Sequence, residues 1–541
     1  MIRLTALFSI SLAFSCAQIL NPGGGPKDTE APVAVKYMPD SAARNFSGNE
    51  ITIAFNEYIR LNDLSSQLVI SPPVETQPEV RLVKNRIVNL EFKEPLKENT
   101  TYTINFGNAV TDITEGNVKE NFTYVFSTGD YIDSLTLSGS VMYAQDLRPE
   151  KGVLVMLYSD HSDSVVFKRK PDYFGKTKAD GSFQINNIRA GKYKVAALKD
   201  EDGDFLYTPV AEHIAFSDSL LDLQKNKKIN LHLFKEKAKK LFVVRGASGY
   251  GSYTMIFSKP LEKIGIKGYN QTDTKNFIQE ASAGLDTMTW WFPGFTDDSI
   301  QFYVDVNGQR FDTVNICGCA LKKKKVNAPE KLEVRTNVIP GQLFDYSRHL
   351  SLTLSHPVAE KLTDKARAPV TDSAKLTLRT KSGPVPFVLS MNDIRHFRIA
   401  PRVTGFQPDS SYTLLILPGA FTDVFGLTND SVKIEFKAQE AKYYGTLKVK
   451  ATVKSEGAKI IELIDDKGNV VRSDVIKGNK DLFYEYLPPK NFRLRVIYDE
   501  NNNGKWDTGD YSTKKQPEKV IYYNQPVNVR SNWDLELEWN L

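Results

Sequence analysis

In "IYDENNNGKWDTGDY", Ile497 to Tyr511, oxygen-bearing side chains recur at an ordered spacing. Counting Asp499 as position one, Asn501 stands at three, Asn503 at five, Gly504 at six, Asp507 at nine and Asp510 at twelve. That is the spacing of a calcium loop of the EF type, in which a hard cation collects about seven oxygens. Gly504 would allow the sharp turn, and Lys505 would offer its backbone carbonyl. Asp at position twelve reaches less far than Glu, and two Asn lower the charge, so weak affinity is expected. The other reading is a bare Asx-rich turn, in which Asp and Asn bond their own backbone. A sister loop carries Asp200, Asp202 and Asp204, but Phe205 replaces the glycine and no acids follow at the later positions. It is the weaker calcium candidate.

Other reactive residues are sparse. The six histidines (161, 213, 232, 349, 356 and 396) are scattered, with no HExxH and no GxSxG. His232 alternates with Leu231 and Leu233, and His356 replaces a polar turn residue, so both read as strand-surface residues. Cys317 and Cys319, in "NICGCALKKKK", are too few for zinc and their bridge would be strained, so they read as small strand-end residues or as a strained or intermolecular disulfide in an oxidising compartment. No enzyme is expected. Trp290-Trp291 falls in an apolar strand, where successive residues face opposite sides. One should be core, and the other either an interface anchor or packed under a neighbouring domain.

These residues must be positioned by sheet. "NFRLRVIYD", leading into the 499 loop, alternates as a strand, and helical periodicity is almost absent along the chain. At 541 residues, with 41% hydrophobic and 11% aromatic side chains, several β-rich domains are expected. A net charge of +5, without a basic stripe interleaved with aromatics, argues against nucleic acid. Lys322 to Lys325 read as a solvated linker.

Self-similarity organises the chain. "ITIAFNEYI", "YTMIFSKPL" and "LSLTLSHPV" share one pattern. Tyr102 matches Tyr412, Thr111-Asp112 matches Thr422-Asp423, and Gly116 matches Gly426. A second repeat sets "YKVAALKD" and its acidic loop against "FRLRVIYD" and its own. The reading is all-β, as tandem sandwiches over 31–130, 131–235, 236–327, 328–440 and 441–541. Before them, Arg3 and "LTALFSISLAF" form a signal over 1–15, and "AQILNPGGGPKDTEAP" supplies a tether over 16–30. The signal ends at Cys16 either as an ordinary cleavable leader or as a lipidation site.

The units over 31–130 and 328–440, and more weakly 236–327, resemble the S-layer-type (SbsA-type) bacterial Ig-like domain, carried by "APVAVKYMPDSAARNFSGNEITIAFNEYIRL" and "TYVFSTGD". The other two resemble transthyretin-like or carboxypeptidase-regulatory-like sandwiches, carried by "ADGSFQINNIRAGKYKVAALKDEDGD". The whole is similar to Ig-like lipoproteins of Bacteroidota outer membranes. That resemblance implies a lipid anchor at Cys16, an outer-membrane address on the cell surface, and envelope-protein partners such as a β-barrel assembly complex. Carbohydrate or adhesion recognition is the alternative role.

Overall fold

In the computed structural model the described residues are 27–261, 263–268, 277–294, 299–317, 331–358, 360–362, 367–369, 373–402 and 405–541. The expected signal, Cys16, most of the tether, Cys319 and the 322–325 lysine run lie outside them. Strand makes up 50% of the structure and helix 3%, so the chain is all-β. It divides into two compact units, Met1–Tyr143 with Arg148–Leu233, and Ala144–Leu147 with Phe234–Leu541.

The first unit opens with a sandwich. One sheet orders Ala34–Met38, Glu50–Phe55, Ile87–Glu91 and Glu79–Val83 side by side; the other orders Val69–Ser71, Thr101–Gly107 and Phe122–Ser127. Alternation explains the core: Ile51, Ile53 and Phe55 point inward against Ile104, Phe106 and Phe126, while their neighbours are more exposed. In the second unit, Leu350–Leu354 and its partners repeat this order around Leu352, Phe397 and Leu414. The matched residues have matched jobs. Tyr102 and Tyr412 each accept a backbone N–H from five residues upstream, Lys97 at 2.9 Å and Gln407 at 2.8 Å. Buried Asp112 accepts N–H groups of Glu115, Gly116 and Asn117, and buried Asp423 those of Phe425 and Leu427.

Two further modules share a topology strand for strand. Leu135–Tyr143 pairs antiparallel with Ser182–Ile188 and parallel with Lys227–Lys235. Gly445–Thr452 pairs antiparallel with Lys480–Leu487 and parallel with Asp534–Asn540. In both, a nine-residue central strand, Gly191–Lys199 or Asn491–Asp499, carries the acidic loop at its C-terminal end.

Candidate functional site

The first acidic loop begins where Gly191–Lys199 leaves its sheet. Asp200 accepts N–H groups of Gly203 at 2.8 Å and Phe205 at 3.0 Å, which folds the chain back on itself. Glu212, 2% exposed, closes the loop from its far end: one oxygen takes the Glu201 N–H and the other that of Thr208, each at 2.8 Å. Ligand oxygens of Asp200, Asp202 and Asp204 lie within 4.8 Å of one another, the one such acidic trio among the described residues. Burial, then repulsion from Asp200 and Asp202, pushes the Glu212 carboxyl above its usual range, and burial raises Asp200 likewise. Crowded carboxylates of this kind are relieved by a cation.

The second loop has the same frame. Asp499, 1% exposed, accepts N–H groups of Asn503 at 3.1 Å and Gly504 at 2.8 Å. Gly504 has φ +72, which suits glycine. Glu518 repeats Glu212, taking the N–H groups of Glu500 at 3.0 Å and Asp507 at 2.9 Å. The carboxylates nevertheless disperse. Asp507 receives Lys237 at 2.6 Å and the side-chain amides of Asn501 and Asn503. Asp510 receives Lys239 at 2.9 Å. Burial tends to raise the Asp510 carboxyl, but hydrogen bonds from Ser512 and Lys239 outweigh it and hold it at about 2. The Asn501 and Asn503 side-chain oxygens accept the Asn503 and Lys505 N–H groups, in Asx turns. Among the described residues, three carboxylates gather only in the sister loop. Spacing does not register lysines arriving from another part of the chain.

Those lysines belong to a clasp. Thr508 donates to the Lys235 carbonyl at 2.8 Å, and the Tyr511 N–H donates to Glu236. A Cβ on Gly509 would stand 2.8 Å from the Phe234 ring. The loop thus grips residues 234–239, which end the strand Lys227–Lys235 and lead out of it. The buried glutamates were missed in the sequence. Their signal was present: "EHIAF" and "EKVIYY" place each Glu one or two residues before a strand that pairs with the central one, His213–Phe216 or Val520–Tyr522.

Both tryptophans are buried. Trp290, fully buried, packs on Phe302 in the core of its own sandwich. Trp291 faces the other way and is covered by the following sandwich: His356 and Phe425 meet its ring, and the Arg395 guanidinium lies 5.5 Å from the ring centroid. Its indole N–H donates to Glu280 at 3.0 Å, and Glu280 accepts from Arg395 at 2.7 Å and 2.9 Å. His356 is not a strand-surface residue as its repeat position suggests. It is 5% exposed, walled by Tyr250, Trp291 and Phe425, with Nδ1 2.8 Å from Asp423. The pair is enclosed by rings. Cys317, ending the strand Gln309–Cys317, is disulfide-bonded.

Residues 28–128 match the bacterial Ig-like domain family. The first sandwich is thus similar to such domains, while that match does not reach the rest of the chain. Solved structures similar to this one include the major pilin subunit of Bacillus cereus, at 9% identity and a TM-score of 0.14 over 75% of this chain and 99% of that one. The S-layer protein rSbsC(31-844) gives 11% identity and 0.15 over 92% and 67%. The Bacillus anthracis TIE protein gives 10% identity and 0.15 over 96% and 76%. At such TM-scores the superpositions say nothing about the arrangement of the whole chain or its role. No curated protein matches. Among the described residues no helix is long and apolar enough to cross a membrane.

Proposed function

We propose that this chain is a non-enzymatic, lipid-anchored scaffold of a Bacteroidota-type outer membrane, displayed at the cell surface through Cys16. Its sandwiches hold an envelope protein partner, such as a subunit of a β-barrel assembly complex. The observation that carries the reading is a groove in the second unit, of about 540 Å³. Ile339, Leu343, Tyr443 and Tyr486 line it at 36–56% exposure, although each is a large apolar or aromatic side chain. Tyr346, Tyr444 and Tyr486 meet edge to face, with centroids 5.5–5.9 Å apart, which stiffens one wall. Arg348 paired with Asp345, and Lys490 near Asp465, form a polar rim. Aromatic anchors within a polar rim are the composition of protein interface centres. An extended, aromatic-bearing segment of the partner is the occupant this favours.

The test is crosslinking in intact cells, then purification from native membranes and mass spectrometry. Cys16→Ser is expected to move the protein into the soluble fraction. Tyr443→Ala combined with Tyr486→Ala should leave it membrane-bound while losing its principal crosslinked protein. Membrane retention of Cys16→Ser refutes the anchor, and an unchanged partner profile from the double variant refutes the groove.

Calcium enters this reading as a stiffener of the acidic loops. The trio at Asp200, Asp202 and Asp204 binds it most readily, and the loop with Asp499, Asn501, Asn503, Lys505, Asp507 and Asp510 does so only by displacing Lys237 and Lys239. With free calcium at about ten times Kd, the gain is about 1.4 kcal/mol. Calorimetry of the whole chain should show a melting transition higher in calcium than in EDTA, and Asp202→Asn should abolish most of the difference. Identical traces in calcium and EDTA would leave both loops as Asx turns without an ion.

A further inference from the structure

A polar cleft opens within the first unit, between the Thr101–Gly107 and Phe122–Ser127 face of the first sandwich and the strands Tyr173–Lys176 and Ser182–Ile188 of the next module. Its volume is about 210 Å³, room for one small ring. Among the described residues its wall carries hydrogen-bonding capacity that the protein does not use. Asn105 spends its oxygen on the Gly107 N–H at 2.7 Å, leaving its amide N–H₂ over. Gln184 donates to the Asn186 oxygen at 2.8 Å, leaving the Gln184 oxygen and the Asn186 N–H₂. Asn187 donates to the Asp133 carbonyl at 3.0 Å and keeps its own oxygen. The Thr103 hydroxyl is buried without any partner. Donors and acceptors thus share a small space, and the buried Thr103 hydroxyl is the one for which an unmade bond is costly.

Charge narrows the choice. Lys176 and Lys178 line the cleft, and no carboxylate does. Lys176 is half-buried, with Asp200 as its neighbouring carboxylate, and Lys178 is exposed. A nucleotide would need a ring face to stack on, and Tyr173 and Phe174 are each only 7% exposed. A peptide would match the amides but brings few hydroxyl groups. We infer that this cleft binds an anionic sugar residue, a pyranose whose hydroxyls meet the spare amides and whose carboxylate or phosphate meets Lys176 and Lys178. The inference is independent of the groove proposed for the protein partner, which lies in the other unit.

The test is titration of the purified full chain with methyl β-D-glucuronide, glucose 6-phosphate and methyl β-D-glucoside, followed by NMR. Saturable binding of either charged sugar supports the site, and their ranking tells whether carboxylate or phosphate is the natural group. Lys178→Ala, at an exposed position, should keep the melting temperature and weaken binding of the charged sugar about tenfold, the scale of one charge-assisted hydrogen bond. Asn105→Ala should weaken the charged sugars without altering their ranking. The proposal is overturned if none of the three sugars binds saturably, if the neutral glucoside binds as tightly as the charged ones, or if Lys178→Ala binds like wild type.

Discussion

Trp291→Ala should cost the second unit about 3–5 kcal/mol, the usual loss for a buried tryptophan. More telling is the form of the loss. Trp291 belongs to one sandwich and is covered by the next, through His356, Phe425 and Arg395. Its removal should let the two sandwiches melt separately, where wild type melts them together. Trp290→Ala, of similar cost, deletes core from one sandwich alone and should unfold that sandwich first. A double-mutant cycle of Trp291→Ala with Phe425→Ala should return a coupling within about 0.5–3 kcal/mol. A single unsplit transition, with a loss below about 1 kcal/mol, would show that the joint is held by something else.

Glu518→Ala should follow the two tryptophan changes in cost. Its two oxygens hold the Glu500 and Asp507 N–H groups at the two ends of the loop. Stranding a buried donor costs about 1–3 kcal/mol, and because both donors are part-buried the low end applies, for about 2–3 kcal/mol together. Glu212→Ala should do the same in the first unit. Denaturant unfolding of each variant checks both. Acid titration adds a signature. The Asp510 carboxyl falls from 3.8 to about 2 in the folded state, so its contribution is present above 3.8 and fades as the pH drops toward 2. Glu518 is raised, by burial first and then by Asp507 and Asp499, so its own contribution moves the opposite way and improves as the pH falls into its titration range. Glu518→Ala should therefore steepen the acid loss.

The repeats made most of the fold legible. Inward-facing alternation such as Ile51, Ile53 and Phe55 is a local signal, and turn residues such as Asp112 and Asp423 recur because each satisfies several N–H groups at once. The acidic loops were legible as loops for the same reason. Their partners were not. Lys237 and Lys239 lie about 270 positions from Asp507 and Asp510, and no local pattern reports such a pairing. His356 was misread because its repeat mates occupy open turns, whereas here a neighbouring sandwich adds Tyr250 and Trp291 as a cover. Burial between domains depends on which surfaces meet, which periodicity within one strand does not encode. Glu212 and Glu518 were visible in principle, had the segment after each loop been aligned with the loop itself.

The clasp on residues 234–239 also sets an order of events during synthesis. Thr508, Gly509 and Tyr511 leave the ribosome long after Lys235 and Glu236, so that stretch waits without its partners while the intervening sandwiches fold. Closing so distant a contact is slow relative to local strand pairing, since the loop entropy must be met before the contacts repay it. The first unit can complete itself early; the second is sealed last, by its own C-terminal module. A chain truncated before Thr508 would keep most of its strands yet leave the Glu236 carboxylate and the Phe234 ring uncovered.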